Sequence, residues 1–198
     1  MQKPLISIVT PCYNESENVD ELIKKVREET AKIEKYRFEH IFIDNASTDN
    51  TVEILKGYAA EDKSIKLIVN SMNFGHIRSP YYGLLQARGE AAILMVSDLQ
   101  DPPEMISTFI QKWEEGHEVV IGVKDKSLES PLMFLIRKMY YSFIEKLSEV
   151  KLVKNYTGFG LYDKKIIKHL REMKDPYPYF RGLVMEIGFN VCLCVKET

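Results

Sequence analysis

Short apolar runs alternate with amphipathic stretches along most of the chain. The runs are Leu5 to Thr10, His40 to Asp44, Ile65 to Asn70, Ala91 to Ser97 and Val119 to Val123. Between the first two, apolar side chains recur with the period of a helix, at Val19, Leu22, Ile23 and Val26. Strands that are apolar on both faces and separated by helices are typical of a mostly parallel sheet covered on both sides. We therefore expect an α/β fold with a doubly wound, mostly parallel sheet flanked by helices.

The part of the chain after Val123 is expected to complete the same domain. It contains a long helix candidate from Ser130 to Leu147, the run GFGLYD, a further helix and a short final strand, FNVCLCV. A chain of 198 residues, 45% of them hydrophobic, can bury a single core. No linker or internal repeat interrupts it, so the sequence predicts one domain over residues 1–198.

Charge and cysteine content exclude several classes of protein. The formal net charge is -2, whereas nucleic acids and anionic membranes attract basic surfaces, so no nucleic-acid partner is expected. The odd number of cysteines, Cys12, Cys192 and Cys194, fits neither a disulfide framework nor a zinc site and favours a reduced, cytosolic compartment. The first apolar run is too short for a signal peptide or a membrane span.

Several common catalytic motifs do not occur in the sequence. Gly158 and Gly160 form a GxG pair, but Asp163 stands where a dinucleotide fingerprint has its third glycine. There is no GxxxxGK[ST] phosphate loop and no GxSxG nucleophile elbow. The histidines form no metal or triad pattern and are predicted to be surface or turn residues: His40, His76, His117 and His169.

The carboxyl ends of the first four predicted strands are all polar, reading TPCYNESEN, DNASTDNT, NSMNFG and SDLQDPPE. In open parallel sheets, ligands bind beyond these ends, where the strand order reverses. Two explanations are equally good for the polar residues after the second strand. Turn formation and helix capping explain them no less well than ligand binding does: Ser47, Thr48, Asn50 and Thr51. They do not account for acidic residues at two separate strand ends, because such charges repel each other without a cation.

Hard oxygen donors cluster after the fourth strand. Asp98, Gln100 and Asp101 lie within four residues and suit Mg²⁺ or Mn²⁺, which keep waters and substrate phosphates as further ligands. By spacing alone, an alternative stays open: Asp101 could cap the helix that follows Pro102 and Pro103.

Taken in order, the segments SIVTPCYNE, IDNASTDNT, NFGHIRSPYYGLLQARGE and SDLQDPPE resemble the family-2 glycosyltransferases of GT-A fold. The resemblance covers nearly the whole chain, and DLQDPPE is its most specific motif. Within the family, the chain is most similar to the branch with dolichyl-phosphate mannose synthase and the bactoprenol glucosyltransferases. Relatives in this branch continue into a basic segment and often two membrane spans, which implies a domain cut before such segments and, in the full-length protein, a place at the cytoplasmic face of a membrane.

The resemblance implies roles for particular residues. The residues implied to bind the donor are Pro11, Tyr13, Glu15, Asp44, Ser47, Arg88 and Asp98. Asp98 and Gln100 are the implied ligands of Mg²⁺ or Mn²⁺. Asp98, Asp101 and Arg137 are the candidate catalytic residues, and Arg137 stands with Lys124, Lys126 and Lys138 near the family's basic positions for the acceptor.

Two positions depart from the family pattern. Val96 replaces the first aspartate of the metal-binding element, and Phe159 replaces the aspartate that serves as catalytic base in T-G-D-F-R-L-x-D. A lipid monophosphate acceptor needs no base, because its second pKa is near 6 and it is already mostly ionised at neutral pH. A sugar hydroxyl does need one, and Asp163 or Asp101 could then substitute.

The expected activity is therefore inverting transfer of a sugar from a nucleotide-diphosphate sugar to a polyprenyl phosphate. Two alternatives stay open: a glycosyltransferase acting on a sugar hydroxyl in polysaccharide synthesis, and a nucleotide-sugar-binding module with little catalysis. The sequence also leaves open the sugar, the base and whether the protein forms a homo-oligomer.

Overall fold

A computed structural model describes residues 3–124, 153, 156–175 and 177–196. The strands are β1 (Leu5–Cys12), β2 (Arg37–Asp44), β3 (Ile65–Val69), β4 (Ala91–Leu94), β5 (Val119–Lys124), β6 (Tyr156–Asp163) and β7 (Val191–Lys196). The helices are α1 (Val19–Ala31), α2 (Thr51–Glu61), α3 (Gly75–Leu85), α4 (Met105–Glu114), α5 (Lys164–Met173) and α6 (Phe180–Glu186). The predicted long helix from Ser130 to Leu147 lies outside the described residues.

The strands form one sheet in the order β3-β2-β1-β4-β6-β5-β7. Every neighbouring pair is parallel except those of β6, which runs antiparallel to both β4 and β5. The strand order reverses between β1 and β4, since β2 lies on one side of β1 and β4 on the other. The predicted α/β class with a mostly parallel sheet is confirmed, and the antiparallel β6 is an addition that the sequence analysis left unassigned.

Two hydrophobic cores lie on opposite faces of the sheet. One packs α1, α2 and α4 on the sheet around Phe42, Phe109 and Phe159. The other packs α3, α5 and α6 around Leu84 and Tyr162. Because successive side chains of a strand point to opposite faces, strands between two cores must be apolar at nearly every position. The continuous apolar runs of the sequence follow from this arrangement.

Close backbone packing fixes β4 beside β1 at the amino ends of the strands. A Cβ atom added to Gly89 would lie 2.6 Å from the Ala91 carbonyl oxygen and 2.7 Å from the Ser7 nitrogen. The Ser7 hydroxyl donates to Glu39 (2.6 Å) and accepts from the N–H groups of Arg88 and Gly89 (3.1 and 2.9 Å). The turn into β4 is therefore held by hydrogen bonds to β1 and by a residue without a side chain.

In the part of the chain that the structure describes, no helix is both long and apolar enough to cross a membrane.

Candidate functional site

A cleft lies at the carboxyl ends of β1 and β4, where the strand order reverses. The Met95 N–H donates to the Val9 carbonyl (3.0 Å), and the Ser97 hydroxyl donates to the Pro11 carbonyl (3.1 Å), so the two strand ends stay joined as they leave the sheet. Two adjoining pockets occupy the cleft. The Tyr13 pocket, of about 400 Å³, is lined among others by Tyr13, Glu15, Asn45, Ser97 and Asp98. The Phe180 pocket, of about 360 Å³, is lined among others by Ile77, Asp101, Phe159, Tyr179, Phe180 and Arg181.

The turn after β1 is locked to the turn after β2. Asn14 has a left-handed backbone (φ 57°), and its N–H donates to the Ser47 hydroxyl oxygen (2.9 Å) while its side-chain oxygen accepts from the Thr48 N–H (2.8 Å). The Glu15 N–H donates to the Thr51 hydroxyl oxygen (2.8 Å). These bonds hold the exposed Tyr13 ring at the mouth of its pocket.

Asp44 stabilises this pair of turns through hydrogen bonds with Ser47. Its side chain is fully buried and accepts hydrogen bonds from the Ser47 N–H (2.9 Å) and from the Ser47 hydroxyl. Nearby, hydrogen bonds from Thr51 and Ser16 outweigh the cost of desolvation and hold the pKa of Asp49 well below its usual value. Ser47 thus links the buried carboxylate of Asp44 to the turn that contains Tyr13 and Asn14.

The loop after β4 separates its two aspartates. Asp98 is exposed in the Tyr13 pocket, where one carboxylate oxygen accepts from the Gln100 N–H (3.1 Å) across a left-handed Leu99 (φ 59°). Asp101 is only 3% exposed, accepts from the Val96 N–H (3.1 Å) and lines the Phe180 pocket. Asp101 therefore closes the loop, and the two carboxylates face different pockets.

The described residues of this site fit a divalent cation that also takes ligands from a substrate. No group of three or more His, Cys, Asp or Glu side chains suited to a metal occurs among the described residues. Asp98 is exposed in the Tyr13 pocket and Gln100 is exposed in the same loop, while Val96 offers no oxygen from its side chain. Magnesium commonly takes one or two protein carboxylates and completes its shell with water and phosphate oxygens. One exposed carboxylate beside an amide fits such an ion.

The Phe180 pocket is largely apolar. Phe159 is 2% exposed and packs against Phe109, with ring centroids 4.8 Å apart. Arg181 reaches the Tyr156 carbonyl with one guanidinium nitrogen (2.9 Å) and brings a positive charge to the pocket lining. Behind the pocket, burial raises the pKa of Tyr156 and Tyr162 well above the usual value, so this hydrogen-bonded pair stays neutral.

The structure brings Pro11, Tyr13, Glu15 and Asp98 around one pocket, with Gln100 in the same loop as Asp98. It does not bring Arg88 to them. Arg88 follows α3 and lies at the amino ends of the strands, in a different depression that includes Lys3, Arg37 and Lys66. The placement thus gives no support to a role of Arg88 in donor binding. The other cationic candidates are not described: Arg137, Lys126, Lys138 and the side chain of Lys124.

One of the four histidines departs from the sequence prediction. His40 is buried in β2, where its Nε2 lies 2.9 Å from the Thr10 hydroxyl oxygen, so the prediction of a surface histidine was wrong for it. Desolvation by burial, helped by the charge of Arg27, lowers the pKa of His40 to about 3. His76 is exposed and lines both pockets. The signal that could have found it is its place in NSMNFGH, directly after a polar strand end.

The protein-family model described as "Glycosyl transferase family 2" matches residues 7–171. The chain belongs to this family. The uncharacterized glycosyltransferase YkcC of Bacillus subtilis is 34% identical over 185 residues, which are 93% of this chain and 57% of that protein. The prophage bactoprenol glucosyl transferase homolog of Escherichia coli is 30% identical over 92% of this chain and 60% of that protein. The chain thus spans somewhat more than half the length of these curated relatives.

Solved structures agree on the fold of this family-2 chain. The mannosyltransferase PcManGT of Pyrobaculum calidifontis, determined in complex with GDP-Man and Mn²⁺, matches with a TM-score of 0.65 at 17% identity, over 99% of this chain and 57% of that one. TarS 1–349 of S. aureus in complex with UDP matches with a TM-score of 0.60 at 18% identity, over 100% and 59% of the two chains. The expectation of a GT-A fold is confirmed.

Proposed function

We propose that the chain is an inverting glycosyltransferase that moves a sugar from a nucleotide-diphosphate sugar to a polyprenyl phosphate. The observation that carries the proposal is the shared pocket of Tyr13 and Asp98, which offers an exposed aromatic ring beside an exposed carboxylate. The similarity to bactoprenol glucosyl transferases supports the lipid acceptor. The likeness to structures holding GDP-Man or UDP supports the donor class.

The Tyr13 pocket is the proposed donor site. The ring of Tyr13 stacks on the base, and Glu15 faces the ribose from the same turn. Asp44 and Ser47 support this turn from below through the hydrogen bonds described above. Asp98 and Gln100 would hold Mg²⁺ or Mn²⁺ against the diphosphate, and the ion would neutralise charge that builds on the leaving group.

The Phe180 pocket is the proposed acceptor site, with Arg181 facing the acceptor phosphate. An oxygen of that phosphate attacks the anomeric carbon of the donor sugar, and the bond from this carbon to the diphosphate breaks. The electron pair of the broken bond leaves with the nucleoside diphosphate, and attack from the face opposite this leaving group inverts the configuration at the carbon. An ionised phosphate has no proton to lose, and this accounts for the apolar Phe159 at the position of the family's base.

The full-length enzyme would meet its two substrates at the surface of a membrane. Nucleotide sugars are water-soluble, whereas a polyprenyl phosphate stays in the bilayer with its headgroup at the surface. We therefore propose that the protein works in the cytoplasm at the inner face of the membrane, with a membrane surface as a partner.

Calorimetric titration of UDP and GDP tests the donor site. Manganese is expected to raise the affinity of the wild type for one of them at least tenfold. Asp98→Ala should lose this gain. Glu104→Ala is the matched control, because it removes an exposed carboxylate outside both pockets, at the start of α4, and should keep the gain. No binding of either nucleotide to the wild type, with any metal, would refute the donor site.

Transfer assays with a matched nucleotide sugar test the acceptor. Sugar should appear on polyprenyl phosphate in detergent and not on oligosaccharides. Transfer to sugar hydroxyls alone would instead establish the polysaccharide-building alternative. Binding of nucleotide with no transfer to either acceptor would establish a binding module.

A further inference from the structure

The wall between the two pockets contains one polar side chain. Pro11, His76, Pro80 and Val96 line both pockets. Proline and valine side chains neither donate nor accept hydrogen bonds, whereas an imidazole always carries at least one N–H donor. Within the described part of the chain, His76 is thus the side chain through which the wall can interact with groups on either side.

The backbone that carries His76 is clamped to the end of β2. The Asn45 side-chain oxygen accepts from the Phe74 N–H (2.9 Å), and its amide donates to the Asn73 side-chain oxygen (2.8 Å). That oxygen also accepts from the Gly75 N–H (2.8 Å). The start of α3 is therefore fixed, while the exposed imidazole makes no hydrogen bond or ion pair with the described residues.

Among the described residues, the charged side chains that line the two pockets around His76 are three carboxylates and one guanidinium. The Tyr13 pocket presents the carboxylates of Glu15 and Asp98, and the Phe180 pocket presents Asp101 and the single guanidinium of Arg181. Phosphate oxygens on both substrates accept hydrogen bonds only. An N–H donor at the shared wall would offset their mutual repulsion as the two substrates approach.

We propose that His76 is a catalytic residue that donates a hydrogen bond to the phosphate oxygens at the junction of donor and acceptor. This inference rests on the proposed function and adds a residue that the sequence motifs do not assign. The imidazole keeps its proton throughout. Its hydrogen bond strengthens as negative charge builds on the departing diphosphate, which lowers the barrier more than it improves binding of the ground state.

Kinetics of two substitutions test the proposal. His76→Ala should lower kcat about 100-fold, the usual loss for one donor to a developing anion, while the dissociation constant of the nucleotide stays within about threefold. His76→Gln keeps an N–H donor and should recover part of the rate. Added imidazole should restore His76→Ala and leave His76→Gln unchanged. His169→Ala, an exposed histidine on α5 outside both pockets, is the control and should match the wild type.

The outcomes separate this inference from the proposed function. Transfer by the wild type together with an unchanged kcat in His76→Ala overturns the role of His76 alone. A lower kcat that imidazole and glutamine both fail to restore, accompanied by a lower melting temperature, shows a structural role and also overturns it. Absence of transfer by the wild type refutes the proposed function, and the role of His76 with it.

Discussion

At the scale of single residues, His40 couples the stability of the fold to pH. The folded protein holds His40 with a pKa of about 3, whereas an exposed histidine of the unfolded chain has a pKa of about 6.5. Between these values the unfolded chain binds the proton more tightly. The contribution is therefore fully present above pH 6.5 and is lost as the pH falls towards 3, by about 1.4 kcal/mol per pH unit.

Urea unfolding at pH 7, 6 and 5 measures this effect. Wild type should lose more free energy of unfolding between pH 7 and pH 5 than His40→Gln, which has no titrating ring beside Thr10. His169→Gln, which alters an exposed histidine, should follow the wild type. Equal pH dependence of wild type and His40→Gln would contradict the burial of a neutral imidazole.

The site was partly predictable at this scale. Pro11, Tyr13, Glu15 and Asp98 follow strands, and the rule that ligands bind at carboxyl strand ends brings them together correctly. Arg88 follows a helix and precedes a strand, so it belongs to the opposite end of the sheet; the motif order along the chain does not carry that distinction. His76 was missed because its place after a polar strand end became informative only once two pockets were seen to share it.

At the scale of secondary-structure elements, the contact of β1 with β4 depends on Gly89. A methyl group there would lie 2.6 to 2.8 Å from backbone atoms of Ala91, Ser7 and Leu5, none of which can move without shifting a strand. Gly89→Ala should therefore lower the free energy of unfolding by about 3 kcal/mol. Gly57→Ala in α2 is the matched control, since no atom lies within 4 Å of the new methyl group, and should add about 0.5 to 1 kcal/mol.

Guanidinium unfolding curves of the two alanine variants check this pair. Equal stability of Gly89→Ala and wild type would mean that β4 can leave β1 at little cost. In that case the Ser7 hydroxyl could not hold the turn as described.

The elements of the first part of the chain were predictable because β1, β2 and β4 are buried on both faces over most of their length. The boundaries of the strands were less predictable. β1 continues to Cys12 through Pro11, which pairs in register with Ile43, while β4 ends at Leu94 because the next residues turn into the Asp98 loop. β6 was not assigned, since its glycines resemble a loop. Gly160 is needed there because a Cβ would lie 2.4 Å from the Val120 carbonyl oxygen, a contact between strands that sequence periodicity does not reveal.

At the scale of the whole molecule, the single tryptophan contacts residues that belong to both faces of the sheet, so its fluorescence is sensitive to unfolding of either face. Trp113 packs against the core of α1, α2 and α4, and its Nε1 donates to Asp163 (2.7 Å), which caps the first turn of α5 on the other face. If residues 1–198 form one domain, tryptophan fluorescence and far-ultraviolet circular dichroism should give the same unfolding midpoint. A nucleotide at 100 times its dissociation constant should stabilise both signals equally, by about 2.7 kcal/mol. Two separate midpoints would divide the chain into independent units.

The order of strands in the sheet differs from their order of synthesis. This difference affects how well a nascent chain is protected from aggregation. β4 pairs on one side with β6, yet β5 is made first and joins the sheet only through β6. A growing polypeptide therefore carries an unpaired, apolar β4 edge until the stretch from Tyr156 onward has left the ribosome. Open edges of this kind template pairing between neighbouring chains. Slow translation before β6 has emerged from the ribosome is thus expected to favour aggregation and chaperone capture, whereas slow translation after its emergence should have little effect.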